Sequence, residues 1–345
     1  MKKTRLEKVM KSLMMMFIVV STSLAEKLIL INGAGATFPY PLYSKWFYEY
    51  TKIDPSVNFN YQSIGSGGGI RQITVKTVDF GATDGPMTDK QLEDAPGEIF
   101  HIPMVAGAVV ITYNLPGINE SIKLSPDVIA DIFLGKIVKW NDKRLVKDNP
   151  GVNLPDKKII VIHRSDGSGT TYIFVDYLCE VSKEWKSKVG KGTSVNWPVG
   201  LGGKGNEGVA GLVKQISYSI GYVELAYAIK NNLGYGAIKN KAGKFIVPSL
   251  KSTTAAIASK TYTMPPDFRV SLVNPDGEDA YPIAGFTWIL VYKNQDDKVK
   301  GEKLVKFLNW AITDGQKYAS DLLYAPLPLN IVAQIQQKLR DITYK

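Results

Sequence analysis

The segment from Ile159 to Tyr177 constrains the fold of this chain more than any other stretch. It opens with four apolar residues, IIVI, which predict a strand buried on both faces of a sheet. Residues 164–169, RSDGSG, cannot pack into a core, and from Thr170 onward apolar residues recur at helical spacing. The segment therefore predicts a buried strand, a glycine loop and the start of a helix.

This loop has the chemistry of an anion site. Its glycines allow backbone N–H groups to turn toward one point, and a helix N-terminus carries a partial positive charge. The guanidinium of Arg164 presents a donor fork that suits a tetrahedral oxyanion. A single glycine loop before a helix is usually only a turn, so other segments have to support the interpretation.

The same order of elements occurs twice upstream. Leu28 to Ile31 predicts a buried strand, GAGATFP follows it, and Thr37 is the candidate N-cap of the next helix. Val57 to Gln62 alternates apolar and polar residues, which predicts a strand with one wet face, and the glycine loop IGSGGG follows. Residues 79–86 then predict a short strand that leaves Asp84 at its end, where ligands bind in open α/β sheets.

Strands and helices alternate along the rest of the chain, which predicts an α/β fold. The apolar runs at 105–113 and 287–292 are predicted to cross between two domains with a cleft between them. Residues 231–280 are predicted to be polar and irregular. Residues 197–208 form the most glycine-dense loop; it contains a GxGxxG pattern, but Pro198 disrupts the strand that a dinucleotide site needs.

The N-terminus has the features of a secretory signal. Basic residues precede an apolar core at residues 13–20, and residues 23–25 form a small-residue cleavage site. The apolar core is too short to span a bilayer, which disfavours a membrane anchor. We therefore predict that residues 1–25 are removed and that the protein is soluble in the periplasm. Cys179, the only cysteine, excludes an internal disulfide and is predicted to be a buried, inert thiol.

The charge of the chain suits an anionic ligand. Five basic residues and one acidic residue lie in the predicted signal, so its removal lowers the formal net charge from +10 to +6. A basic surface would also suit nucleic acid or a membrane, but no run of Lys and Arg is interleaved with aromatic residues, so we expect no nucleic-acid partner. With only two histidines, His101 and His163, and no Walker A motif, we expect no metal and no cofactor.

Several motifs occur together in the order and spacing of a known family. They are GAGATFP, IGSGGG, VDFGATDGP, RSDGSGT, NWPVGLGGKGN and GYVELAYA. In these motifs the chain resembles the periplasmic phosphate-binding proteins of phosphate-specific ABC transporters, over nearly all of the mature chain. The resemblance implies a two-lobed class II periplasmic binding protein fold with the ligand cleft between the lobes. Lobe I would comprise residues 26–107 and 288–345, and lobe II would comprise residues 108–287.

The resemblance also implies a ligand set and a function. The residues that would hold phosphate are Thr37, Phe38, Ser66 and Asp84 from lobe I, and Arg164, Asp166, Ser168, Gly169 and Thr170 from lobe II. The protein would be a non-enzymatic, monomeric receptor that binds hydrogen or dihydrogen phosphate and delivers it to an inner-membrane ABC permease and its ATPase. Gly67, Thr83 and His163 differ from residues common in the family, but none of these differences removes an implied contact.

The carboxylate of Asp84 would lie beside an anionic ligand, which is favourable only if one of the two groups carries a proton. Near neutral pH phosphate keeps a P–OH group, and the Asp84 carboxylate can accept a hydrogen bond from it. Sulfate has no such proton, so its oxygens would face the carboxylate without a hydrogen bond, at a cost on the order of several kcal/mol. Asp84 is therefore the predicted specificity element, and Asp166 is predicted to orient Arg164. Two rival functions remain: a receptor for sulfate or molybdate, and a secreted phosphatase with Ser168 or Ser66 as nucleophile, although no base or metal cluster is evident nearby.

Overall fold

A computed structural model describes residues 28–260 and 264–345, so the predicted signal at 1–25 lies outside the described residues. The strands are β1 Ile29–Gly35, β2 Val57–Ser63, β3 Phe80–Thr83, β4 Ile99–Tyr113, β5 Lys123–Leu124, β6 Ile160–Arg164, β7 Leu201–Gly203, β8 Ser219–Glu224, β9 Gly234–Tyr235, β10 Ala237–Lys239, β11 Phe245–Ile246, β12 Ala284–Tyr292, β13 Asn294–Gln295 and β14 Thr343–Tyr344. The α-helices are α1 Tyr40–Ile53, α2 Ser66–Thr74, α3 Asp89–Glu93, α4 Pro126–Phe133, α5 Lys143–Asp148, α6 Gly169–Val181, α7 Lys183–Lys188, α8 Gly205–Gln215, α9 Leu225–Lys230, α10 Leu250–Ala258, α11 Lys298–Ala311, α12 Lys317–Asp321 and α13 Leu329–Arg340. This alternation confirms the α/β class. Within the described ranges, no helix has the length and apolarity that crossing a bilayer requires.

One mixed sheet organises the molecule, in the order β2-β1-β3-β12-β4-β8-β6-β7, with β9 paired to β4. β1 pairs in parallel with β2 and β3, and β6 pairs in parallel with β7 and β8. β12 is antiparallel to β3 and β4, and β4 is antiparallel to β8. The sheet therefore consists of two parallel sets that are joined by a pair of long antiparallel strands.

The two joining strands carry the chain from one parallel set to the other. β4 pairs with β12 from Ile99 to Ala108 and with β8 from Val109 to Tyr113. All 15 residues of β4 and all 9 of β12 are buried, as the largely apolar composition of strands covered on both faces predicts. The runs predicted to cross between domains, 105–113 and 287–292, lie within these strands. The lobe boundaries drawn from the sequence stay a prediction.

Three strand–loop–helix junctions follow the parallel strands, as the sequence predicted. They connect β1 to α1, β2 to α2 and β6 to α6. β3 ends at Thr83, one residue before Asp84. Because β1, β2 and β3 are parallel, their carboxyl ends and the residues that follow them lie at one edge of the sheet.

Some local predictions at these junctions were wrong. The run from Leu28 to Ile31 is not a strand buried on both faces: Leu28 precedes β1 and is 57% exposed, and Leu30 is 44% exposed, because alternate strand residues point to opposite faces and the face that carries these two leucines is uncovered. Residues 66–69 do not form a loop; they are the first turn of α2, where Gly65 at φ +88° makes the bend instead. Buried contacts on both sides outweigh the low helix propensity of the three glycines.

Two further predictions need correction. Residues 231–280 are not irregular, since they contain β9, β10, β11 and α10; these short elements lack the long apolar periodicity that a sequence pattern requires. β7 likewise forms a short strand inside the glycine-dense loop at 197–208. Cys179 is half-buried rather than buried, although burial still raises the pKa of its thiol and so disfavours the reactive thiolate.

Candidate functional site

The first junction places Thr37 in the interior. Gly35 turns the chain out of β1 with φ at +145°, a conformation that glycine tolerates. The predicted N-cap role of Thr37 is wrong, because Pro39 is the N-cap residue of α1 and no side chain caps that helix. Thr37 Oγ1 instead accepts hydrogen bonds from Asn206 N at 3.2 Å and Asn206 Nδ2 at 2.8 Å. Since these bonds use its lone pairs, the hydroxyl proton of Thr37 stays available for a ligand.

The second junction brings Ser66 against Asp84. Ser66 Oγ accepts a hydrogen bond from Asp84 N at 3.2 Å and lies 3.5 Å from Asp84 Oδ2. Both residues are buried. The neighbouring Gly67 N donates to Gly167 O at 2.9 Å, which joins this junction to the loop that follows β6. The second and third junctions are therefore in direct backbone contact.

The third junction carries a bidentate ion pair. Arg164 Nε and Nη2 donate to Asp166 Oδ1 and Oδ2 at 2.7 and 2.6 Å, and the Arg164 side chain is only 1% exposed. Asp166 Oδ1 also accepts from Gly205 N at 3.0 Å. The guanidinium lowers the pKa of Asp166 against the opposing effect of burial, which keeps the carboxyl charged. Asp166 thus holds one edge of the Arg164 guanidinium, as predicted. The remaining nitrogen, Arg164 Nη1, contacts Thr170 Oγ1 at 3.4 Å.

The start of α6 supplies the closest approach between the junctions. Ser168 is the N-cap residue of this helix, and its Oγ accepts from Thr171 N at 3.0 Å. A methyl group added at Gly169 would lie 2.5 Å from both Asp84 Oδ2 and Ser66 Oγ. The N-termini of α2 and α6 therefore meet beside Asp84, where only a glycine fits.

Asn206 joins the remaining predicted residues. Its Nδ2 donates to Thr37 Oγ1 at 2.8 Å and lies 3.1 Å from Thr170 Oγ1. The structure thus brings all nine predicted ligand residues into one buried region, with only Asp166 partly exposed. The role of Asn206 was not predictable from the motif NWPVGLGGKGN, because an asparagine in a glycine-rich segment carries no signal that separates it from a turn residue.

Asp84 is electrostatically unusual. Its side chain is 1% exposed, and Oδ1 has no hydrogen-bond partner among the described residues. Burial raises the pKa of Asp84 to about 7, against the opposing influence of the nearby Thr287 hydroxyl, Arg164 and Ser66. A carboxyl with a pKa of about 7 and one unpaired oxygen can accept a hydrogen bond from a ligand when it is ionised and donate one when it is protonated.

The two histidines have structural contacts instead. His101 Nε2 accepts from Met87 N at 3.0 Å, and burial lowers its pKa to about 3, so the ring is neutral. The ring of His163 stacks on Trp197 with 4.9 Å between centroids. Across residues 28–260 and 264–345, no group of three or more His, Cys, Asp or Glu side chains is arranged to hold a metal ion.

Known proteins are similar to this chain in sequence and in fold. Residues 20–315 match the model of the PBP superfamily domain. The phosphate-binding protein PstS of Xylella fastidiosa strain 9a5c is 48% identical over 311 residues, covering 90% of this chain and 85% of that protein. The phosphate-binding protein PstS of Pasteurella multocida is 47% identical over 328 residues, covering 94% of each.

Solved structures agree on the fold. A high-affinity periplasmic phosphate-binding protein with bound phosphate superposes with a TM-score of 0.70 at 20% identity, covering 90% of this chain and 93% of that one. A phosphate-binding protein from Stenotrophomonas maltophilia gives a TM-score of 0.67 at 19% identity, covering 89% and 93%. At these identities the likeness establishes the two-lobed periplasmic binding protein fold.

Proposed function

This chain belongs to the PstS phosphate-binding proteins of the PBP superfamily, and from that membership we propose that it is a high-affinity receptor for inorganic phosphate. It binds one phosphate between a lobe of residues 26–107 and 288–345 and a lobe of residues 108–287. It acts in the periplasm as a monomer, after removal of residues 1–25, and catalyses no reaction. It delivers phosphate to the permease of an ABC transporter, which the transporter's ATPase drives.

The proposed ligand set is the nine residues that converge on the buried region. Most of them offer donors: hydroxyls, a guanidinium N–H and backbone N–H groups at helix N-termini. They are Thr37, Phe38, Ser66, Arg164, Ser168, Gly169 and Thr170, with Asp84 as the acceptor and Asp166 as the partner of Arg164. A site of this kind holds an anion mainly by fixed dipoles and one buried cation.

The observation that carries the proposal is the unpaired Oδ1 of Asp84. A buried carboxylate oxygen without a partner costs free energy, and a ligand that brings a hydroxyl proton removes that cost. Hydrogen phosphate and dihydrogen phosphate both carry such a proton near neutral pH, and sulfate does not. Asp84 therefore favours phosphate over other tetrahedral dianions.

The same geometry disfavours a phosphatase. Ser168 Oγ caps α6 and Ser66 Oγ accepts from Asp84 N. In the part of the chain that the structure describes, neither hydroxyl is hydrogen-bonded to a histidine or lysine that could act as a general base. The carboxyl nearest to Ser66 Oγ is Asp84, with Oδ2 3.5 Å away, so a phosphatase would have to use Asp84 as its general base.

Calorimetric titration of the mature, ligand-stripped protein tests the proposal. We expect tight one-to-one binding of phosphate at neutral pH, and sulfate binding that is too weak for calorimetry to detect. Absence of phosphate binding, or equal affinity for phosphate and sulfate, would reject the assignment as a phosphate receptor. Release of product from a chromogenic phosphate ester would favour the phosphatase instead.

The pH dependence of sulfate binding tests the role of Asp84. Sulfate can accept a hydrogen bond from Asp84 only when the carboxyl is protonated, and the pKa of that carboxyl is raised to about 7. Weak sulfate affinity is therefore expected to be constant below pH 6 and to fall about tenfold per pH unit above pH 7, whereas phosphate brings its own proton. Competition of sulfate against labelled phosphate from pH 5 to pH 9 measures the effect.

Two variants control this experiment. Asp84→Asn is expected to bind sulfate with little dependence on pH, because its amide is always a donor. Asp279→Asn, the same substitution at an exposed position, is expected to keep the wild-type profile. A wild-type profile that is flat up to pH 9 would contradict the specificity role of Asp84.

A further inference from the structure

Glu224 is a buried acid that the binding site described so far does not use. It ends β8, immediately before α9, and it is completely inaccessible to solvent. Its Oε2 accepts from Ala226 N at 2.9 Å, and its own backbone N donates to Asn206 Oδ1 at 3.0 Å. Oε1 has no hydrogen-bond partner among the described residues. A buried charge with so few donors would be costly, which raises the question of where its proton lies.

The hydrogen bonds of Tyr324 indicate that Glu224 carries a proton. Tyr324 Oη lies 2.7 Å from the Phe38 carbonyl oxygen and 3.1 Å from Glu224 Oε2. A phenol has one proton, and a carbonyl can only accept, so the shorter contact takes the tyrosine proton. The contact with Glu224 then joins two oxygens and needs a second proton. Glu224, which is fully buried, is the group placed to supply it. Tyr227 makes the same two kinds of contact, to the Thr37 carbonyl and to Glu207, but Glu207 is exposed and water can solvate its charge.

The electrostatic surroundings favour the same state. Among the described residues, no Lys, Arg or His forms an ion pair with Glu224, and the nearby charged group is the acid Asp84. The other polar groups that face it are the hydroxyls of Tyr324 and Tyr227, the backbone N–H groups of Leu225 and Ala226, and the amide of Asn206. Burial raises the pKa of Glu224 well above its usual range, and the Asp84 charge adds to that shift, against the opposing influence of the Ala226 and Leu225 backbone N–H groups and the Tyr324 hydroxyl.

We propose that Glu224 is a neutral carboxylic acid that donates its proton to Tyr324 Oη, and that it acts as a positioning residue for the phosphate-binding segment at Thr37 and Phe38. This role rests on the proposed function, whereas the protonation state does not. Glu224 does not touch the ligand. It acts through Tyr324, whose orientation it fixes.

The positioning follows from peptide geometry. Tyr227 Oη donates to Thr37 O at 2.6 Å, and Tyr324 Oη donates to Phe38 O at 2.7 Å. Because the peptide bond is planar and trans, holding the Thr37 carbonyl aims the Phe38 N–H in the opposite direction. Holding the Phe38 carbonyl fixes the next peptide as well. The two tyrosines therefore clamp the backbone on both sides of the predicted N–H donor.

Infrared spectroscopy tests the protonation state directly. In phosphate buffer at pH 8, the difference spectrum between wild type and Glu224→Gln is expected to contain the C=O stretching band of a protonated carboxyl. Tyr324→Phe should keep that band but shift it, because the acid loses its hydrogen-bond acceptor. Glu93→Gln, at an exposed position, should leave the band unchanged. Absence of the band from wild-type protein would overturn the proposal, whether or not any variant folds.

The pH dependence of stability gives an independent readout. The folded-state pKa of Glu224 lies above the unfolded value of about 4.3, so folding takes up a proton and rising pH favours the unfolded state. The equilibrium ratio of folded to unfolded protein should fall about tenfold per pH unit more steeply in wild type than in Glu224→Gln. This difference should extend from about pH 5 up to the folded-state pKa of Glu224. Denaturant titrations of both proteins between pH 5 and pH 9 measure this ratio. Parallel profiles would contradict a neutral Glu224.

Phosphate titration tests the positioning role. Glu224→Gln keeps the shape and the donor to Tyr324 Oη but leaves Ala226 N without its acceptor, so it is expected to bind phosphate more weakly than wild type and more tightly than Glu224→Ala, which should bind at least about tenfold more weakly than wild type. Equal loss in both variants, or none in either, would refute positioning by the neutral acid. If wild type itself does not bind phosphate, the proposed function fails, while the infrared and stability experiments still decide the state of Glu224.

Discussion

Replacing Arg164 by methionine is expected to weaken phosphate binding by about 30- to 5,000-fold, the largest effect of any single substitution in the site. Removal of one member of a buried, hydrogen-bonded charge pair costs about 2–5 kcal/mol. The Arg164 side chain is 1% exposed, so water cannot replace it. The substitution also takes from the Asp166 carboxylate its two guanidinium donors and its neutralising charge, beside the anion. Isothermal titration with phosphate measures the change.

A double variant separates the two causes of this loss. Arg164→Met with Asp166→Asn removes the unpaired negative charge as well, and it is expected to bind more tightly than Arg164→Met alone. Arg340→Met, the same substitution at an exposed arginine, should bind as wild type does. If Arg164→Met kept wild-type affinity, Arg164 would lie outside the site.

The second large effect is expected from Gly169→Ala, which should weaken phosphate binding by about 5- to 150-fold. The added methyl group would lie 2.5 Å from Asp84 Oδ2 and 2.5 Å from Ser66 Oγ, so the two sides of the cleft could not approach as they do here. Overpacking of this kind costs about 1–3 kcal/mol. The melting temperature of ligand-stripped protein should not fall, because opening of the cleft relieves the contact.

Gly211→Ala is the matched control for this substitution. Gly211 also lies in a helix, α8, but a methyl group there would meet nothing within 4 Å. The variant is expected to bind phosphate normally and to gain up to about 1 kcal/mol of stability from its higher helix propensity. Normal phosphate affinity in Gly169→Ala would show that the cleft does not close at this point.

The local elements were predictable because their signals are local. The apolar run at 159–162 and the alternation from Val57 to Gln62 each matched a strand at nearly the predicted bounds, and the run at 105–113 forms the second half of β4, which begins six residues earlier, at Ile99. Asp84 was correctly placed at the end of a strand, and the pairing of Asp166 with Arg164 follows from their separation by two residues. Periodicity and short-range spacing are properties that a sequence displays directly.

Predictions failed where a competing contact lay far away in the chain. Thr37 has the residue type and position of an N-cap, but Asn206, 169 residues further along, takes its hydroxyl oxygen. The glycines of residues 66–69 suggest a loop, but packing against the loop after β6 makes them a helix turn. Glu224 shows no sign of its burial in the sequence, because the groups that surround it come from three distant segments.

By itself, the sequence determined the α/β class, the three glycine-rich junctions and the kinds of side chain at each, since all of these depend on residues that are neighbours in the chain. Tertiary structure alone decided which groups meet: Tyr227 with the carbonyl of Thr37, 190 residues away, and Tyr324 with that of Phe38, 286 residues away. It also decided that Asp84 and Glu224 lose their water. Protonation states depend on that desolvation, and desolvation depends on every element packed around a group rather than on its sequence neighbours.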